Sequence, residues 1–280
     1  MSNAIKSWSF LFLLSLTLIV LGHLTLGREG LLIGLVVSLG INSYVYFFED
    51  KRIISYFQGQ PLEGQDPWGL LSLSRKLSAK MRIPNPRIVV LSDPAPQALV
   101  VGRSLTQGTI FITEGMLRSL SQQEIEAVMA YLLACIRNLN TLAFAVGSFF
   151  ASSLLAITEF LDLLLRFIMV EKKNPDYPLS QIFTRTAAPL IGLLLRISIR
   201  PSFYFEADRQ ASELVGDAKV VAAALWKLHS YSSTEPFTAP LSISHMFVVN
   251  PLTRQSWTRY FHAQPSVERR IRSLVGHYPI

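Results

Sequence analysis

Two charge-free apolar stretches near the start of the chain, Ser7 to Gly27 and Gly30 to Phe48, set the first limit on what it can fold into. Each is long enough to cross a hydrocarbon core of about 30 Å, which takes roughly 20 helical residues. A backbone in lipid must satisfy its N–H and C=O groups internally, so both stretches are read as helices. Only Arg28 and Glu29 separate them, and a hairpin turning at those two residues is expected. Lys6 gives the first stretch a small basic start resembling a signal peptide. The apolar run is long for one, no small-x-small cleavage site follows and a second span comes at once, so the segment is read as an uncleaved anchor.

Composition agrees with a membrane protein. Of 280 residues, 50% are hydrophobic and only 16% charged, too apolar for an ordinary soluble domain of this length. A second pair of apolar segments is less clean. Thr141 to Thr158 is followed by Glu159, Asp162 and Arg166, and Ala187 to Ile199 contains Pro189 and Arg196. An ionisable group at the bilayer centre costs about 2.5–3.5 kcal/mol on insertion scales. These charges are therefore expected at the interface, with Arg196 snorkelling. A partly embedded hairpin and two full spans both remain open.

What is left, Glu49 to Asn140 and Arg200 to Ile280, must assemble as one split domain at the membrane surface. The four expected segments are residues 1–48 (first transmembrane hairpin), 49–140 (first half of the domain), 141–199 (second hairpin) and 200–280 (second half). Leu70, Leu71, Leu73, Leu77 and Met81 recur at helical spacing, and Pro84-Asn85-Pro86 ends that helix before the strand signal Arg87 to Leu91. Gly108 to Thr113 is a second strand. Ser121 followed by Glu124 has the form of a capping box opening a helix. Ala207–Leu214, Lys219–His229 and Val267–Leu274 read as further helices. No repeat, low-complexity tract or phosphate-binding loop is present.

Four separated motifs carry a resemblance. Pro96 to Arg103 with Ile110 to Leu117 is similar to the PNAFATGR and ITxGLL segments that flank the substrate cleft of HtpX-type integral-membrane zinc metallopeptidases. The helix from Glu124 to Asn140 resembles their HExxH helix. Tyr204 to Asp208 is similar to ExxAD, and Asn250-Pro251 with Phe261 to Leu274 resembles their FSTHPPxxxRIxxL ending. The resemblance covers nearly the whole chain and implies a zincin-like α+β domain, mainly helical overall, split by a membrane hairpin, with up to four transmembrane helices.

In such an enzyme two histidines at i and i+4 and a distant Glu hold zinc, and the Glu beside the first histidine is the general base. The matching positions here are Tyr131, Leu132, Cys135 and Tyr204; Asn140 stands for a following Asp and Gln264 for a His. Only Cys135 offers a ligand atom. Tyrosine is a poor zinc donor near neutral pH, with a reference pKa of about 10. The four positions are therefore read as vestigial, with no metal and no cofactor, and Gln97, Thr113, Asp208 and Gln264 as remnants of the cleft. Leu132 with the two tyrosines is expected to fill that cleft, the alternative being a site that reads a ligand. Asp208 is expected to pair with a basic neighbour. Cys135 beside His229, His245, His262 or His277 suggests a nucleophile, but a lone Cys on an apolar helix reads as a small buried hydrophobe.

These replacements lead to the expectation that the chain is not an enzyme but a pseudopeptidase: a regulator or scaffold in a membrane complex or in membrane-protein quality control, or an accessory subunit of an unrelated complex. A working hydrolase with a rebuilt site is the third possibility. Expected partners are other membrane proteins and lipid headgroups near Lys51 and Arg52. The net charge of +7 includes Arg254, Arg259, Arg269, Arg270 and Arg272, read as a basic face beside the membrane; no nucleic-acid motif accompanies it. Flanking basic residues, six on one side and five on the other, do not orient the spans. The resemblance implies a bacterial-type inner membrane with the large domain in the cytoplasm, and the single Cys is compatible with that reducing compartment.

Overall fold

The computed structural model describes residues 3–64, 66–168, 181–252 and 257–278. Arg254, read above as part of the basic face, and Lys172 and Lys173, two of the five basic residues on one side of the spans, lie outside the described residues.

Helix α1 (Asn3–Phe47) is two arms joined at Gly27, whose φ of 60° and ψ of −133° break the helical path. The turn comes one residue before the expected Arg28-Glu29, because glycine alone tolerates that backbone without strain. The arms fold back on each other. Asn42 Nδ2 donates to Ser15 Oγ at 2.8 Å across 27 residues, and a Cβ added at Gly22 would lie 2.1 Å from the Gly30 carbonyl oxygen. Small residues thus let the two backbones touch, the packing mode expected in lipid, where no hydrophobic gain separates helix–helix from helix–lipid contact. Outward, Leu24, Leu32, Val36 and Leu39 are exposed.

A second pair of helices, α6 (Asn140–Ile168) and α7 (Ile182–Ser198), packs side by side. Leu11–Tyr44 and Asn140–Phe167 are long and apolar enough to cross a membrane, and α7 meets the same test together with α8 (Pro201–Val215), to which it is joined by a 48° bend. Asp162, one of the charges expected at the interface, has a partner that the sequence did not give. It is buried between α6 and α7 and caps the latter, accepting from Phe183 N at 2.9 Å, Thr184 N at 3.1 Å and Thr184 Oγ1 at 2.7 Å. A carboxylate can stay buried there because the unsatisfied N–H groups at the start of α7 supply its hydrogen bonds.

The domain half before α6 holds α2 (Glu49–Tyr56), α3 (Leu70–Met81), α4 (Glu114–Ser119), α5 (Gln122–Arg137) and a four-stranded sheet. The strands β1 (Gln60–Pro61), β2 (Arg87–Leu91), β3 (Ala98–Gly102) and β4 (Gly108–Thr113) take the order β1-β2-β4-β3, with β2 parallel and β3 antiparallel to β4. This leaves β3 as an edge. Asp66 accepts from Leu70 N and Leu71 N, starting α3. α5 opens on the expected capping box, with Ser121 and Glu124 bonded reciprocally. After α6 and α7 come α8, α9 (Ala218–Thr234) and α10 (Val267–Val275). The α+β, mainly helical membrane architecture expected from the sequence is the one observed.

Replacing Gly30 by Leu should separate the arms of α1, since its Cβ would lie 1.8 Å from the Gly22 carbonyl oxygen. We expect a lower Tm in detergent, by the equivalent of about 2 kcal/mol or more, with Gly40→Leu, where the added Cβ meets nothing, as the neutral control.

Candidate functional site

Helices α5 and α8 lie against each other and bring the four motif positions into one interior. Tyr131, Leu132 and Cys135 of α5 and Tyr204 of α8 are all buried. The charge at the centre comes from α10. Arg270, with none of its surface exposed, places its guanidinium 4.9 Å from the Tyr131 ring centroid and 5.7 Å from that of Tyr204. Its Nε and Nη2 donate to the two oxygens of Asp208 at 2.8 and 2.6 Å, a bidentate pair. The reading of Arg270 as part of a basic outer face is therefore corrected: burial works against its charge, but Asp208 and the two ring faces hold it.

Three side chains of this interior grip one segment of the chain through four hydrogen bonds. Tyr204 donates its hydroxyl to the His245 carbonyl at 2.8 Å. Gln264 Nε2 donates to the carbonyls of His245 and Phe247, at 3.2 and 2.6 Å. Arg270 Nη1 donates to the Val248 carbonyl at 2.5 Å. On its other side the segment pairs antiparallel with the free edge of β3 through Leu99 and Phe247, and Val248 N donates to the Ala98 carbonyl at 2.9 Å. His245 donates from Nε2 to the Phe144 carbonyl at 2.9 Å, which leaves its Nδ1 unprotonated and, among protein atoms, without a partner.

Gln97 and Thr113 meet where β3 and β4 pair. Gln97 N donates to Thr113 Oγ1 at 2.9 Å, and that hydroxyl donates to the Ala95 carbonyl at 2.7 Å. Both residues are buried. Asn140 donates from Nδ2 to the Phe203 carbonyl at 3.1 Å, tying α6 to α8. Sequence reasoning placed Gln97, Thr113, Asp208 and Gln264 around a cleft but missed the segment from His245 to Val248 that runs between them. The nearest sequence signal is the Asn250-Pro251 motif, which directly follows that segment.

Cys135 is a free, buried thiol. Burial pushes its thiol up to about 12, against smaller opposing effects of Tyr131, Asn140 and Arg270, and only the thiolate reacts. Burial also raises the Tyr131 phenol well above its ordinary value, with the nearby Cys135 acting in the same direction. Zinc, which the resemblance implies, does not fit this donor set. One protonated thiol and two phenols that resist ionisation surround a fixed guanidinium, and no three His, Cys, Asp or Glu side chains converge among the described residues.

Comparison with known proteins decides the family. The profile of peptidase family M48 matches residues 69–277. The chain belongs to peptidase family M48. Relatives of this family match it end to end. A protein named protease HtpX homolog from Pelotomaculum thermopropionicum is 30% identical over 97% of this chain and 98% of its own. Others of that name, from Desulfatibacillum aliphaticivorans and Paraburkholderia phytofirmans, are 27% and 29% identical, covering 100% and 98% of this chain. The crystal structure of S. mikatae Ste24p aligns at 16% identity and a TM-score of 0.49, over 98% of this chain and 65% of that one. One expectation is overturned by these relatives. Four replaced side chains suggested a chain that is not an enzyme, whereas the family match and the full-length similarity to proteins named proteases place this M48 member among peptidases. The four positions are a small part of a chain, and the match draws on all of it.

Two measurements follow from the geometry. Asp208→Ala leaves the Arg270 charge buried and unpaired, which should destabilise the protein by about 3–5 kcal/mol, while the double variant Asp208→Leu with Arg270→Met should recover much of that loss; thermal unfolding of the single and double variants checks it. His245 provides a pH signature. Burial lowers its imidazole from 6.5 to about 4, so the unfolded chain takes up a proton in a range where the folded one does not. The stability this represents is present above about pH 6.5 and is lost as the pH falls toward 4. Unfolding followed from pH 7 to 4.5 should show this acid slope reduced in His245→Gln.

Proposed function

We propose that this M48 member serves membrane-protein quality control as a scaffold or regulator, working through stable association with other membrane proteins. One observation carries the reading: the free edge of β3, where an extended peptide would add as a strand, is taken by the chain's own Phe247 and Val248. The side chains at the motif positions hold that segment in place instead of facing an open cleft. Recruitment as an accessory subunit of a larger membrane complex is supported by the same closed interior, since a subunit needs surfaces rather than a cleft. In this reading residues 49–140 and 200–280 form one domain beside the two hairpins, on the cytoplasmic side, and its outer surface together with the spans makes the contact.

Mild extraction from native membranes should recover the protein in an assembly much larger than its 31.4 kDa chain; migration as a lone monomer overturns the proposal. Elemental analysis is the second test. The site formed by Tyr131, Cys135 and Tyr204 should retain far less than one zinc per chain, and a stoichiometric zinc lost on changing Cys135 to Ala would sink this account of the site.

A further inference from the structure

A groove of about 460 Å³ runs between the second arm of α1 and the start of α6, walled by Gly40, Ile41, Tyr44, Phe149, Ser152, Ser153 and Ala156, with Arg52 at one end. The two helices are antiparallel. The second arm of α1 leads toward the domain and α6 leads away from it, and their rings meet at Tyr44 and Phe149, 5.5 Å apart. Arg52 belongs to α2, directly after the arm, so the basic end of the groove lies where the span meets the domain. From there the floor descends along α6 from Phe149 to Ala156, about two helical turns. Along its flanks the groove opens onto the exposed apolar surface of Val36 and Leu39 on one helix and Ile157 and Phe160 on the other. That surface faces hydrocarbon in any placement that lets α1 and α6 cross a bilayer.

The basic end is organised. Arg52 Nη2 donates to Ser148 Oγ at 3.3 Å, which draws the guanidinium over the head of α6. Lys51 sets its ammonium 5.8 Å from the Phe48 ring centroid. Two cations and a tyrosine at a membrane boundary, above a mainly apolar groove, match the layout of a phospholipid with its phosphate at the boundary and one chain below. A guanidinium binds a phosphate diester in a fork geometry that an ammonium lacks. Small residues make the slot. Gly40 offers no side chain, and an added Cβ there would meet open space.

We propose that this groove binds an anionic phospholipid, one acyl chain lying between α1 and α6 and the phosphate on Arg52. The occupant is a lipid of the surrounding membrane rather than a protein helix, because the groove ends on a guanidinium and its flanks are exposed apolar surface of the spans. Bound there, the lipid bridges the first hairpin, α2 and the second hairpin.

The full-length protein in an uncharged detergent, doped with phosphatidylglycerol or with phosphatidylcholine carrying the same chains, tests this by native mass spectrometry and thermal unfolding. Phosphatidylglycerol should be retained about fivefold better, the equivalent of about 1 kcal/mol for one basic residue at an anionic surface, and should raise Tm. Arg52→Gln should bring retention of phosphatidylglycerol down to that of phosphatidylcholine. Ser153→Leu, which fills the slot without touching the charge, should lower retention of both. Glycerol phosphate, a headgroup without chains, should leave Tm unchanged. Equal retention of the two lipids, an unaltered Arg52→Gln profile in a protein of unchanged Tm, or stabilisation by glycerol phosphate alone each overturns the proposal.

Discussion

The buried pair of Arg270 and Asp208 is the contact on which the domain depends. A guanidinium cannot shed its charge when buried, so it must be surrounded by acceptors before the helices around it can close. Asp208 supplies two of them from α8, the Val248 carbonyl a third, and the ring faces of Tyr131 and Tyr204 cover what remains. Through this one side chain α10, α8, α5 and the segment beside β3 become a single body. The two halves of the domain are separated in sequence by α6 and α7, and no local propensity joins them. A desolvated, bidentate ion pair between α8 and α10 that reaches across to the first half at Tyr131 fixes both their distance and their orientation.

The same logic of satisfied polar groups governs the membrane part. Asp162 would be costly in lipid by itself, yet it takes the free N–H groups at the head of α7, and each solves the other's problem. Ser15 and Asn42 do the same between the arms of α1. Glycines at 22, 30 and 34 then allow the backbones to meet. Polar contacts fix the register of the hairpins, and small residues set how closely they pack.

At Tyr131, Leu132, Cys135 and Tyr204 the interior is built from buried aromatic and apolar side chains. A zinc site holds its helices by bonds that need ionised or neutral donors at fixed distances. Here Tyr131 and Tyr204 contribute surfaces and one hydroxyl. The hydroxyl of Tyr204 reaches the His245 carbonyl, and the ring of Tyr204 stacks on Phe144 at 5.7 Å. The interior is consequently held by aromatic faces, amide donors and one internal cation. Membership of M48 and this aromatic interior are both properties of the chain, and the proposed role in an assembly rests on the interior.

Sequence alone determined the elements whose cause is local. Hydropathy gave the arms of α1, the capping box of Ser121 and Glu124 gave the start of α5, proline placement ended α3, and β-branched runs gave β2 and β4, because each depends on residues a few positions apart. It also located the motif positions, since their order and spacing are linear facts. It did not give Asp162 its partner, because the head of α7 meets that carboxylate only in the folded chain. Nor did it separate Arg270 from Arg269 and Arg272: all three are arginines on one short helix, and only the partner across the interface makes one of them core. The occupation of the β3 edge by Phe247 and Val248 was likewise invisible, because strand pairing between residues this far apart has no signature in either segment. Burial and pairing across the domain are properties of which surfaces meet, and that is settled only when the two halves of the domain close on each other.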